Sequence, residues 1–168
     1  MPNTPDAIAL LKADHEKVAG LFKKFESTKS VPKKKELAMK ICMELIIHTK
    51  IEEDIFYPAC KGNIKDDLWH EAQVEHDGAK VLIAEIRRDH HGDEFYDAKV
   101  IVLSEMIKHH VEEEEERGGM FAQARKAGVD MKALGKRLAN EKKILTAKYK
   151  KEGTPLPATP TFTGTRLA

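Results

Sequence analysis

Apolar residues recur every three or four positions through most of the chain, the spacing that places them on one face of an α-helix. No segment shows the sustained alternation of apolar and polar residues that a half-buried strand would show. The apolar stripes are Ile8, Leu11, Val18, Phe22 and Phe25; Leu37, Ile41, Leu45 and Ile55; Ala72, Ala79, Ile83 and Ile86; and Val100, Leu103 and Ile107. Four such stripes joined by short turns predict an all-α, up-down-up-down four-helix bundle.

Charged and helix-breaking residues indicate where the helices begin and end. Asp6 begins the first helix, and Asp66 stands where the third helix would start and where negative charge is favourable. We expect the second helix to end before Pro58, because proline continues a helix poorly.

The chain after the fourth stripe predicts two further regions. An amphipathic stretch from about Met131 to Lys150 predicts an accessory helix with Leu134, Leu138 and Ile144 on its apolar side. The proline-rich segment that follows is typical of an extended or disordered tail. We therefore divide the chain into a bundle at 1–118, an accessory helical segment packed on it at 119–152, and a tail at 153–168.

Composition excludes several classes of function. The 168 residues carry 29 basic and 28 acidic side chains, so the net charge of +1 gives no electrostatic case for binding nucleic acid or a membrane. No apolar run has transmembrane length, and the N-terminus has no signal-peptide pattern. The only cysteines, Cys42 and Cys60, support neither a disulfide framework nor a thiolate zinc site. We expect a cytoplasmic protein.

Polar residues interrupt each apolar stripe at helical spacing. The interrupting residues are His15, His48 and Glu52, His76, and His110 and Glu114. Burying an ionised carboxylate is unfavourable unless it has a partner. A metal ion is one such partner, and a buried histidine–glutamate hydrogen bond is another.

These interruptions form an internal repeat. His76 lies 61 positions after His15, whereas His110 follows His48 and Glu114 follows Glu52 by 62 positions each. The chain therefore resembles two copies of a helix pair, and in a bundle the stripes would converge on four imidazoles and two carboxylates. This set suits iron, manganese or zinc, and its two carboxylates could bridge two ions while leaving positions open for a small ligand.

Taken together, these motifs resemble the hemerythrin-like, or HHE cation-binding, family over the four helices. The matching motifs are Asp14-His15-Glu16, His48-x-x-x-Glu52-Glu53 followed by Phe56-Tyr57-Pro58, Glu75-His76, and His110-x-x-x-Glu114-Glu115. The resemblance implies a four-helix bundle with a non-haem di-iron centre. Known roles of the family include dioxygen binding, iron or oxygen sensing, nitric oxide handling and repair of damaged iron centres.

From the repeat and the resemblance we assign a metal site without a separate catalytic residue. Its ligands would be His15, His48, Glu52, His76, His110 and Glu114, holding two carboxylate- and oxo-bridged iron ions, with manganese or zinc as alternatives. Glu53 and Glu115 would orient ligand histidines or serve as alternative ligands. Helix geometry favours Glu114 over Glu115 as the bridge, because Glu114 lies about 40° around the helix from His110 and Glu115 about 140°.

The chain departs from the oxygen-carrying hemerythrins at two positions. Those proteins have a histidine where this chain has Ala72, and their bridging aspartate falls at the position of Glu115. These departures favour redox turnover or sensing over reversible oxygen carriage. We read Tyr57 and Trp69 as packing residues.

The functional interpretation is a di-iron protein that binds or reacts with dioxygen, peroxide or nitric oxide in stress response or sensing. The alternative is a metal- or oxygen-sensing module without turnover, in which the accessory helix and the tail are the candidate effector elements. Whether the protein is an enzyme, which protein partner it has and its oligomeric state stay open. The remaining histidines, which are read as surface residues, are His70, His90, His91 and His109.

Overall fold

A computed structural model describes residues 4–88 and 93–164. Within these ranges all assigned secondary structure is helical, which confirms the all-α prediction. The elements are α1 (Ala7–Ser27), α2 (Val31–Ile51), a π-helical turn (Glu52–Phe56), α3 (Tyr57–Cys60), α4 (Asp66–Arg88), α5 (Tyr96–Glu115), α6 (Met120–Lys126) and α7 (Met131–Glu152).

The long helices α1, α2, α4 and α5 form the bundle. Helix α1 packs against α2 and α5, and α4 packs against the same two helices, so the four surround one interior. The predicted apolar stripes face this interior, and all their members are buried except Ile55 and Ile107, which are partly buried. Burial of each large aliphatic side chain stabilises the fold by about 1.5–3 kcal/mol.

Side-chain caps define where helices start. Asp6 precedes α1, and its carboxylate accepts a hydrogen bond from the Ala9 N–H at 2.8 Å. Asp130 caps α7 in the same way, accepting from the Lys132 and Ala133 N–H groups at 3.1 and 3.0 Å. Each cap satisfies backbone N–H groups that the first helical turn leaves without partners.

The predicted end of the second helix before Pro58 is wrong. The helical backbone passes through the π-helical turn and continues to Cys60. In this turn the Tyr57 N–H donates to the carbonyl of Glu52, five residues earlier. Pro58 then falls in the first turn of α3, where the missing N–H of proline is tolerated.

Helix α7 lies along the outside of the bundle, against α1, α2 and the π-helical turn. Leu134 and Leu138 face inward as predicted, but the assignment of Ile144 to the apolar side is wrong, because its side chain is 50% exposed. Leu145 and Tyr149 are buried instead, which is the spacing of 3.6 residues per turn continued from Leu138.

Short α6, which the apolar pattern did not predict, leads into α7 and buries Met120 and Phe121.

The described part of the tail, 153–164, contains no helix and lies against α4. The Arg87 guanidinium donates to the carbonyls of Thr154 and Pro155, the latter at 2.7 Å. The division into 1–118, 119–152 and 153–168 stays a prediction, and residues 165–168 lie outside the described residues. No described helix combines the length and apolar character needed to cross a bilayer.

Candidate metal centre

The six side chains predicted as metal ligands meet inside the bundle. Helices α1, α2, α4 and α5 each contribute one histidine, the π-helical turn contributes one glutamate, and α5 contributes the other. Each of the six is buried, with 8% or less of its surface exposed: His15, His48, Glu52, His76, His110 and Glu114. Their roles as ligands stay a prediction, and we call this group the buried centre.

The four imidazoles form two pairs that face each other through their Nε2 atoms. The Nε2 atoms of His15 and His48 are 3.1 Å apart, and those of His76 and His110 are also 3.1 Å apart. One pair comes from each copy of the sequence repeat. The bundle therefore presents two adjacent clusters of nitrogen donors.

The two glutamates connect these pairs. Glu52 places Oε1 3.2 Å from His48 Nε2 and Oε2 3.3 Å from His76 Nε2. Glu114 places Oε2 3.4 Å from His15 Nε2 and Oε1 3.5 Å from His110 Nε2. Each carboxylate thus spans from one imidazole pair to the other, which is the arrangement that two bridging ligands require.

Every histidine of the buried centre has a carboxylate at its other ring nitrogen, Nδ1. The distances are 2.6 Å for His15 to Glu115, 3.4 Å for His48 to Asp14, 2.9 Å for His76 to Glu53 and 2.7 Å for His110 to Glu75. An Nδ1–H that donates to a carboxylate leaves the Nε2 lone pair free to bind metal and orients the ring toward it. Glu53 and Glu115 therefore lie behind the imidazoles, on the side away from the interior.

The donor set fits metal ions on its own chemistry. With each Nδ1 donating outward, two neutral imidazoles in a pair would point two Nε2 lone pairs at each other across 3.1 Å. Glu52 Oε1 and Glu114 Oε2 are buried without a hydrogen-bond partner. A cation at each pair would satisfy both the facing lone pairs and the carboxylate oxygens. Nitrogen and oxygen donors of this kind suit iron, manganese or zinc.

The carboxylates also set the protonation of this cluster when no metal ion is bound. Burial alone would lower the pKa of His48, but the charge of the adjacent Glu52 carboxylate and the hydrogen bond to Asp14 outweigh it and raise that pKa to about 10. Burial and the charge of Glu52 oppose ionisation of Glu114, yet its histidine neighbours lower its pKa to about 2. Protons then neutralise the carboxylates in place of metal ions.

Sequence reasoning missed three residues around the centre: Asp14 and Glu75, which contact Nδ1 of His48 and His110 and were given no site role, and Tyr57, which we assigned to packing. The Tyr57 hydroxyl donates to Glu114 Oε1 at 3.0 Å and lies 3.2 Å from His76 Nε2. In a regular helix Tyr57 would lie about 140° around from Glu52. The π-helical turn adds one residue and brings both onto the same face. Pro58 could have signalled this, since bulges and kinks concentrate near proline and at functional sites.

A small cavity borders the centre on one side. The four histidines line it together with two polar residues, Asp14 and Thr49, and with four apolar side chains: Val18, Leu45, Ile107 and Val111. The cavity leaves about 10 Å³ for the centre of a water-sized molecule, which is room for about one molecule the size of water.

The histidines predicted to be at the surface have different outcomes. His70 is exposed, and the side chain of His109 is 65% exposed. His90 and His91 lie outside the described residues. His109 nonetheless contacts carboxylates, as described below.

Comparison with known proteins identifies one family. The profile of the hemerythrin HHE cation-binding domain matches residues 6–119. The fold is also similar to that of a hemerythrin HHE cation-binding domain-containing protein from Mycobacterium kansasii, with a TM-score of 0.73 and 22% sequence identity over 89% of this chain and 95% of that chain. Comparison with curated proteins finds no match.

Proposed function

The chain belongs to the hemerythrin HHE cation-binding domain family, and from this premise we propose that it is a non-haem di-iron protein that binds or reacts with a small oxidant. The family is one of metal-binding domains, and the histidine and glutamate clusters of this chain could hold metal. The observation that carries the proposal is the pairing of Nε2 atoms at 3.1 Å with a carboxylate spanning from one pair to the other.

The residues divide into two ligand sets with shared carboxylates. His15 and His48 would hold one ion, His76 and His110 the other, and Glu52 and Glu114 would contribute one oxygen to each. Bound iron would supply one-electron redox chemistry. The carboxylates behind the imidazoles keep the rings aimed inward, and the donor groups found among the described residues include no cysteine.

The apolar cavity supports a small, weakly polar ligand. Val18, Leu45, Ile107 and Val111 offer no hydrogen bonds or charge to a large polar substrate, and besides the histidines the other two lining residues already have partners: Asp14 contacts His48 and Lys142, and Thr49 donates to the Ile46 carbonyl. The space suits about one molecule close to the size of water. Dioxygen and nitric oxide meet both conditions, and hydrogen peroxide meets the condition of size. The buried position also keeps bulk water from the nitrogen donors.

The test is metal content together with reactivity. Protein reconstituted anaerobically with ferrous iron should retain about two irons per chain, one for each imidazole pair. Its near-ultraviolet absorption should then change on exposure to dioxygen, peroxide or nitric oxide. Glu52→Gln should lose this response, while Glu112→Gln, an exposed change of the same chemistry on α5, should keep it. Failure of the wild-type chain to retain iron, or an oxidant-independent spectrum, would refute the proposal.

A second candidate function, sensing without turnover, is favoured by a chain of polar contacts from the tail to the buried centre. The N–H and hydroxyl of Thr161 both donate to Asp77 Oδ2 at 2.7 Å. The other oxygen of Asp77 accepts from Lys80 at 3.0 Å, and Lys80 contacts Glu53 at 2.7 Å. Glu53 in turn holds His76 Nδ1. The tail is therefore coupled to one imidazole of the centre.

Sensing requires that the metal state change the order of the tail. Hydrogen exchange of residues 153–164 should differ between iron-loaded and metal-free protein, and Asp77→Asn should reduce the difference. The exposed substitution Asp54→Asn serves as the control. Identical tail protection in both metal states would leave the reaction with an oxidant as the only candidate.

A further inference from the structure

A second group of metal-binding side chains lies at the surface, next to the buried centre. His109 and Glu113 occupy successive turns of α5, and Glu75 faces them from α4. Each offers one ligand atom, and these atoms lie within 4.8 Å of one another. His109 Nε2 is 3.3 Å from Glu113 Oε1 and 3.6 Å from Glu75 Oε1. We call these three residues the surface triad.

The charges of the surface triad favour a cation. Glu75 uses Oε2 to hold His110 Nδ1 and so has Oε1 left for a second partner. Over the part of the chain that the structure describes, no lysine or arginine forms an ion pair with Glu75 or Glu113. Two neighbouring carboxylates without a fixed positive charge repel each other. An imidazole and two carboxylates together match the donors that divalent ions such as ferrous iron, manganese and zinc take.

A small cavity joins the surface triad to the buried centre. Its lining includes Glu75 and Glu113 from the triad and His110 and Glu114 from the centre. It leaves about 10 Å³ for the centre of a water-sized molecule, so a single small particle fits inside. Of the lining residues, Glu114 is 1% exposed, and its Oε2 atom has no hydrogen-bond partner.

The remaining wall of this cavity is apolar and formed by Leu68, Ala72 and Met120. Ala72 is buried and ends at Cβ, so it leaves open the space that a larger side chain on this face of α4 would occupy. An ion that leaves the triad therefore meets no competing ligand in the wall before it reaches Glu114 and His110.

We propose that the surface triad binds a divalent cation and passes it through this cavity to the buried centre. The first step, binding of the cation at the surface, depends only on the three side chains of the surface triad. The second step, transfer inward, rests on the proposed metal function of the buried centre. The triad thus acts as a loading site whose carboxylates attract the ion from solvent and whose contact with His110 places it next to its destination.

The rate of iron uptake tests the transfer. Wild type and the double variant His109→Gln/Glu113→Gln are mixed anaerobically with ferrous iron below the protein concentration, and iron that resists a ferrous chelator is measured over time. These two residues contact no ligand nitrogen of the buried centre, unlike Glu75. The matched control is His70→Gln/Glu112→Gln, which makes the same chemical changes at two exposed positions.

We expect the double variant to take up iron at least about tenfold more slowly, the scale on which loss of a metal-site partner acts. Its final iron content should equal that of the wild type and the control. Uptake by the double variant as fast as by the control would overturn the transfer step. No iron retained by any of the three proteins would instead refute the function proposed for the buried centre.

Binding of Mn²⁺ tests the surface site independently of iron uptake. Electron paramagnetic resonance measures free Mn²⁺ as it is added to protein already loaded with metal. The wild type and the control should bind one further Mn²⁺ per chain with an affinity at least about tenfold higher than that of the double variant. Equal Mn²⁺ binding by all three proteins would overturn the surface site.

Discussion

Removing bound metal should make the stability of the protein fall as pH rises from 6 to 8.5. Without metal, the carboxylates around His48 raise its pKa to about 10, whereas the unfolded chain has a histidine pKa of about 6.5. Above that value the unfolded chain releases a proton that the folded chain keeps. The stabilisation from His48 is therefore fully present below about pH 6.5, falls as the pH rises, and is lost above about pH 10.

The size of the effect follows from these two pKa values. Between pH 6 and pH 8.5 the free energy of unfolding should fall by at most about 3 kcal/mol on account of His48. His110, whose pKa lies well above its usual range because the pull of Glu114 outweighs burial, adds in the same direction. Glu114, with a pKa of about 2, is ionised in both states over this range and adds nothing. Allowing for relaxation of the buried cluster, we expect a fall of at least about 1 kcal/mol.

The assay is urea unfolding followed by circular dichroism, at constant ionic strength, on metal-free and metal-loaded protein. Metal-loaded protein is the control, because its imidazoles bind metal in place of protons and its stability should not fall over this range. Burial raises the pKa of Cys42 to about 12 and that of Cys60 to about 11. These thiols lower stability mainly above pH 8.5 and do so in both forms. A flat metal-free profile, or the same fall in both forms, would refute the reasoning.

Three further predictions concern single side chains. Tyr57→Phe removes the hydroxyl that donates to Glu114 and should lower the stability of metal-free protein by about 1–3 kcal/mol in urea unfolding, with a changed absorption spectrum once iron is bound. Gly135→Ala would place a Cβ 2.4 Å from the Pro5 carbonyl oxygen and should lower the melting temperature through a loss of about 1–3 kcal/mol. Gly20→Ala, whose Cβ meets nothing within 4 Å, should raise it slightly. Val18→Leu fills part of the apolar cavity and should slow the reaction with dioxygen several-fold at unchanged iron content.

Each of these predictions has an outcome that contradicts it. An iron-loaded Tyr57→Phe protein with the wild-type spectrum would place the hydroxyl outside the reactive cluster. Equal melting temperatures for the two glycine variants would mean that α7 does not depend on its close approach to the start of α1. An unaltered dioxygen rate in Val18→Leu would show that the oxidant reaches the centre by another path.

Local periodicity was sufficient to predict the bundle and the inward direction of its histidines. His15 and His76 replace apolar residues at fixed helical spacing, so their burial follows from the pattern of their own helices. The same spacing predicted Glu114 rather than Glu115 in the interior, and only Glu114 is buried.

Features that depend on other helices or on irregular backbone could not be predicted in this way. The approach of Glu75 to both His110 and His109 depends on how α4 and α5 align, which the spacing within one helix does not encode. The contact of Tyr57 with the centre was not predicted because the π-helical turn interrupts the spacing of 3.6 residues per turn on which the assignment of Tyr57 to packing relied. Ile144 was assigned to the wrong side of α7 because Ile144 and Leu145 are adjacent apolar residues, and the sequence alone does not say which of them faces the bundle. Packing against the bundle buries Leu145 and leaves Ile144 exposed.

The two halves of the chain are alike in sequence but end differently, and this gives their two imidazole pairs different chemical surroundings. Tyr57 lies in the first copy, and the position 62 residues later is Gly119, packed so closely that a Cβ there would lie 2.3 Å from the Glu113 carbonyl oxygen. The pair of His76 and His110 therefore has a phenol beside it, whereas on the other side His15 stacks against the Phe121 ring at 6.0 Å. If each imidazole pair holds an ion as proposed, the duplicated scaffold would give the two ions unequal affinities and potentials, and a singly occupied or singly oxidised chain would be a defined species rather than a mixture of two equivalent halves.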